Sequence, residues 1–211
     1  MRANAKPGMV MQTPCFEAFG TLAISYKSKT GVTYGYLGYT DVEFNRLLIQ
    51  LLKEGLAEVA HPLLLPVLFF NLWIGAFSEE NEEILSSVKQ VKKVTKKLQL
   101  PASDSFQEFD TAHDIIVECH DIINNGMAAF LTGSAANLQD ALKNLPTIVA
   151  SQNKIESSHR NLQALVSTLM TTLNCMVDTR ARISERLRMQ LQVVCTPFLK
   201  FKQPAIFVLK G

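Results

Sequence analysis

Five residues with chemistry to offer crowd one stretch of the chain: His113, Asp114, Glu118, Cys119 and His120. Imidazole, carboxylate and thiolate are zinc-type ligands, but a site needs three or four of them converging on one point. On a helix the two histidines, seven positions apart, share a face, with Asp114 and Glu118 at helical spacing from it. Such residues are common on solvated helix faces, so structural roles are expected for all five. The one dense carboxylate group, Glu79, Glu80, Glu82 and Glu83, spreads around more than half a helical turn and cannot converge on a single ion. No GxSxG is present, and no cysteine has a neighbouring base except Cys119 beside His120, so no nucleophilic triad can be assembled. Asn124-Asn125-Gly126-Met127 and Thr132-Gly133-Ser134 are too short to cradle a phosphate. The chain is therefore expected to carry no catalytic residue, no cofactor-binding residue and no metal ligand. It is not expected to be an enzyme or to take a small-molecule substrate.

Composition narrows the class further. Hydrophobic residues make up 47% and charged residues 19% of 211, enough for a real core and against wholesale disorder. A net charge of +2 with no basic stripe among aromatics argues against nucleic acid. Cys15, Cys119, Cys175 and Cys195 lie far apart with no CxxC, the usage of reduced intracellular thiols. Cys175, one position before Met176, is expected to be a small buried or half-buried thiol. The N-terminus lacks the continuous apolar run of a signal peptide. The most apolar stretch, 62–77, contains Pro66, Asn71 and Gly75 and is shorter than the roughly 20 residues a bilayer requires. It is expected to be a buried core helix holding Trp73.

The elements that position these residues are mostly helical. Strand character is weak and confined to FGTLAISYK (19–27) and GVTYGYLGY (31–39), which suggest a short hairpin or loop in an irregular N-terminal segment. A helix capped by Thr40 or Asp41 follows, with Phe44, Leu47, Leu48, Leu51, Leu52, Leu56 and Val59 on its apolar face. His61-Pro62 stops it. A second helix starts near Pro62 or Pro66 and ends about Leu98, marked by Phe77, Ile84, Val88 and Val91. Its acids come first and Lys89, Lys92, Lys93, Lys96 and Lys97 last, an order that suits the helix dipole. Phe109, Ala112, Ile116, Cys119, Ile123, Met127 and Phe130 mark a third helix, which LTGSAAN (131–137) is expected to break. A shorter helix carries Leu138, Leu142, Leu145 and Val149, with Pro146 dividing it.

The final pattern is the most regular. Ile155, Leu162, Leu169, Met176 and Ile183 recur every seven residues, and Val166, Leu173, Leu187 and Val194 form a second row. A helix over 154–194 would run roughly 60 Å, and its stripe requires partner helices from this chain or another. Thr196-Pro197 is expected to end it.

The order of elements over residues 45–194 resembles the soluble region of fungal CorA-like magnesium-transporter homologues. The likeness rests on LLIQLLKEGLAEVAHPLLLPVLFFNLW (47–73), on the charged helix 78–98, and on SSHRNLQALVSTLMTTLNCMVDTRARISERLRMQLQVV (157–194), which is similar to that family's stalk helix. Family members continue into two transmembrane helices, the first closing with Gly-Met-Asn. This chain has neither, and Asn125-Gly126-Met127 holds those residues in another order. The resemblance therefore implies a cytosolic helical domain that does not transport ions alone.

The combined expectation is an all-α, elongated bundle: an irregular segment 1–40, a helical bundle 41–195 with a long stalk-like helix 154–195, and a tail 196–211. Its function would be helix–helix association, either as a CorA-like cytosolic domain or as an independent coiled-coil adaptor. Its partner would be a second copy or a full-length CorA-like membrane protein, met through the 155–194 helix. Its location would be cytoplasmic, at most membrane-peripheral.

Overall fold

The computed structural model describes residues 8–12, 21–27, 32–38, 42–56, 61–98, 105–144 and 153–201. Three strands come first, β1 (Gly8–Gln12), β2 (Thr21–Lys27) and β3 (Val32–Gly38). Among the described residues five helices follow: α1 (Val42–Leu56), α2 (Leu64–Leu98), α3 (Ser105–Ile123), α4 (Met127–Asn144) and α5 (Asn153–Phe201). The Thr40/Asp41 cap, Val59, Leu145, Pro146, Val149 and the tail from 202 fall outside the described residues.

The strands correct the all-α expectation and the irregular reading of 1–40. They form an antiparallel meander in the order β1-β2-β3, with Met11 opposite Leu22 and Leu22 opposite Leu37. Alternation explains the sheet: Leu22, Ile24 and Tyr26 are buried, and Thr21, Ala23 and Ser25 between them are not. Five- and seven-residue strands give too short a period to outweigh the glycines around them in the sequence alone. The suggested hairpin is the β2–β3 pair. At Gly35 an added Cβ would stand 2.7 Å from Leu65 Cδ2, so the close approach of β3 to α2 uses the missing side chain.

The chain divides into two compact units, one of residues 1–79 and 125–177, the other of 80–124 and 178–211. The first unit packs the inner sheet face, α1, the start of α2, α4 and the first part of α5 around one core. Its centre is aromatic: Phe69 and Phe70 are fully buried, and Phe44, Phe69 and Phe130 surround Trp73 at centroid distances of 5.2 to 6.4 Å. The stretch 62–77 is thus buried core, as expected. No described helix is long and apolar enough to cross a membrane. Of the α1 face, Leu48 is buried while Leu47 is exposed. Pro66 is the third residue of α2, where its missing N–H forfeits no helical bond.

The second unit joins Ile84, Val88 and Val91 of α2, Ala112, Ile116 and Cys119 of α3, and Ile183 and Leu187 of α5. Among the described residues the stripe of α5 is spent inside the chain: Leu162, Val166, Leu169 and Leu173 lie in the first core and Ile183 and Leu187 in the second, while the side chains of Ile155 and Val194 fall outside those described. The helix continues past Thr196-Pro197 to Phe201, so the expected stop is corrected. A proline removes one ladder bond without obliging the chain to leave the helix.

The boundary near 130 is corrected as well. The break lies at 124–126, and LTGSAAN is helical within α4. Gly126 adopts φ 81°, Asn124 N–H reaches His120 O at 3.0 Å, and Asn125 Oδ1 accepts from Met127 N–H at 3.0 Å. That is an αL end to one helix and a side-chain cap on the next. Leu131, Ser134, Ala135 and Leu138 are buried, so small residues that looked like a loop are a packed helix face.

Candidate functional site

The cluster around His120 does not converge. Cys119 points into the second core, and its burial, followed by the carboxylates of Glu118 and Glu83, pushes the thiol up despite a hydrogen bond with Ser87. A thiol held protonated is a poor nucleophile and a poor ligand. His113 Nδ1 lies 3.5 Å from Asp114 Oδ1 on the surface. Among the described residues, no three His, Cys, Asp or Glu side chains could hold a metal ion. Cys175 is exposed, which corrects the buried reading: one position before a stripe residue is about 100° around the helix.

Two polar clusters escaped the sequence reading. In the first unit, Leu63 N–H donates to His61 Nδ1 at 3.1 Å, and His61 Nε2 lies 3.2 Å from His159 Nδ1. The backbone donor fixes the tautomers. His61 Nδ1 is bare, so Nε2–H donates to His159, whose own proton sits on Nε2. That atom is buried and has no partner among the described residues. His61 O also accepts from Leu64 N–H at 3.1 Å, so this residue caps α2 with both backbone and side chain. Burial, with the neighbouring His159, holds His61 down to about 4. His61 serves as a neutral strut.

In the second unit, Arg180 is 3% exposed. Its Nε–H donates to Asn81 Oδ1 at 2.8 Å, one terminal nitrogen pairs with Glu80, and the other reaches the Ile122 carbonyl at 3.5 Å. That carbonyl lies in the last turn of α3, where acceptors lack helical partners and cations are favoured. One guanidinium therefore ties α2, α3 and α5. It also takes Glu80 out of the acidic group, while Glu79, Glu82 and Glu83 stay exposed. The signal in the sequence is a gap: Val166, Leu173 and Leu187 recur by seven, and Arg180 stands where the missing member falls. Asn81 occupies the matching stripe position between Phe77 and Ile84.

Among the described residues, a feature able to do something beyond the fold is a groove of about 490 Å³ in the second unit. Its α2 side is Leu85, Val88, Lys89 and Lys92, and its α5 side is Arg186, Met189, Gln190 and Val193. Met189 and Val193 are 51% and 45% exposed. No described carboxylate pairs with Lys89, Lys92 or Arg186. Gln190 Oε1 is buried without a described partner. An apolar floor between unpaired cations can seat an amphipathic helix; it offers no convergent acid, base and nucleophile.

Fold and groove define a mostly helical chain with a small antiparallel sheet and an open helix-lined cleft. No protein-family model, no curated protein and no solved structure matches it.

Proposed function

We propose that this chain is a non-catalytic helical interaction module, working by helix–helix association through the α2/α5 groove. One observation carries the reading: the heptad stripe of α5 is consumed by the chain's own two cores, yet Met189 and Val193 beside it stay exposed between unpaired cations. The contact surface is therefore the groove bank at 186–193, a different face from the 155–194 stripe. The chain works in the cytoplasm, which the thiols of Cys119 and Cys175, neither of them in a disulfide, support. The reading as a CorA-like cytosolic domain rests on the residues of 45–194 noted above, and the unbroken run of α5 suits its stalk-like role. On that reading the groove's partner is a helix of a second copy or of a full-length membrane relative.

A photo-reactive residue in place of Met189, in the full chain expressed in its own cells, tests the module. An adduct of protein mass that disappears when Lys89 and Lys92 become Glu is the expected result. Adducts to lipid alone, or none, refute it.

A further inference from the structure

The same unit that holds the basic groove also carries its chemical complement. α3 contains Glu108, Asp110, Asp114, Glu118 and Asp121 and no Lys or Arg. Asp114, Val117, Glu118 and Asp121, spaced by three, one and three, share one face of that helix. All four are exposed, Val117 at 42%. The opposite face, with Ala112, Ile116 and Cys119, is fixed in the core. On α2, by contrast, residues 84–98 hold five lysines and no acid.

We propose that the groove is occupied by α3 of a second copy of this chain. The proposal rests on the groove being a helix-association surface and names its occupant. Dimensions agree: Asp114 to Asp121 spans seven residues, as do Leu85 to Lys92 and Arg186 to Val193, about 10 Å each. Val117 lies midway along the acidic strip, placed to meet Met189 and Val193 on the floor. Asp114, Glu118 and Asp121 face Lys89, Lys92 and Arg186, three charges to three. The protein's own α3 cannot supply the contact, because its buried face is the one turned toward α2 and α5 and it contributes nothing to the groove. A face on one copy meeting a different face on the next gives a reciprocal pair when a two-fold axis repeats the contact, a ring when the rotation closes and an open filament when it does not.

Charge reversal in the full-length chain tests this. Sedimentation of the wild-type chain is expected to show self-association that weakens as sodium chloride rises, because exposed charges are screened. Lys89→Glu/Lys92→Glu and, separately, Glu118→Lys/Asp121→Lys should each weaken it by at least about tenfold. All four positions are exposed, so far-ultraviolet circular dichroism should match wild type for both variants. Mixed in equal amounts, the two variants should associate again, since the lysine-bearing α3 fits the glutamate-bearing groove and the unaltered pair remains. A wild-type chain that stays monomeric at every concentration reached overturns the proposal, as does association indifferent to either reversal or not restored by mixing. In each of those cases the cross-link from position 189 to another protein still decides whether the groove is an association surface at all.

Discussion

At the scale of single residues, the polar groups inside the two cores are the sharpest handles. Arg180→Ala would leave Asn81 Oδ1, Glu80 and the Ile122 carbonyl without their donor. Breaking a buried ion pair from one side costs about 3–5 kcal/mol, and urea unfolding of the variant should show a loss of that order. Arg180→Met with Glu80→Met removes both members of the ion pair and should recover much of it; a double variant as weak as the single one would mean the guanidinium is not the central tie. His61 responds to pH. Its native imidazole takes a proton only near pH 4, whereas the unfolded chain takes one near 6.5. Its contribution is complete above about pH 6.5 and is withdrawn as the pH falls from there toward 4. The full loss is on the order of 3 kcal/mol. In His61→Asn, an amide oxygen can still accept from Leu63 N–H, and the stability slope between those pH values should flatten. An unchanged slope would assign it to other groups.

At the scale of elements, the break between α3 and α4 depends on Gly126. Its φ of 81° is open to glycine and unfavourable to a side chain, so Gly126→Ala should cost roughly 1–2 kcal/mol. Thermal unfolding measures it, and a neutral substitution would show that the turn can relax. This junction also shows what the sequence could and could not reveal. The rows of α2 and α5 were legible because one apolar face repeated over many turns; Ile84, Val91, Leu162, Val166 and Leu173 are buried as their spacing required. The α3–α4 boundary is not legible there because Gly133 and Ser134 carry the composition of a loop, and it is the burial of Leu131, Ser134, Ala135 and Leu138 around them that holds the stretch helical. The groove was invisible for a related reason: Met189 and Val193 are off the stripe, and their exposure depends on how α2 packs. Arg180 was legible in principle, as a charge at a stripe position.

At the scale of the whole molecule, two cores share two continuous helices, α2 and α5, yet each has its own apolar residues. Leu187, fully buried in the second core, is the place to weaken one of them: Leu187→Ala should remove about 2–5 kcal/mol. Trp73 makes the outcome visible. It is the only tryptophan of the chain and lies within the aromatic centre of the first core, its indole N–H buried without a described partner. Such an indole emits toward the blue and reddens when water reaches it. Fluorescence therefore follows the first core by itself, while circular dichroism sums helix from both. In Leu187→Ala the dichroism should fall at lower denaturant than the emission shifts; coincident curves would mean that the two cores melt together. The molecule carries its own dye, placed in one half only, and any ligand, salt or partner that reaches the other half can be told apart by the colour it leaves unchanged.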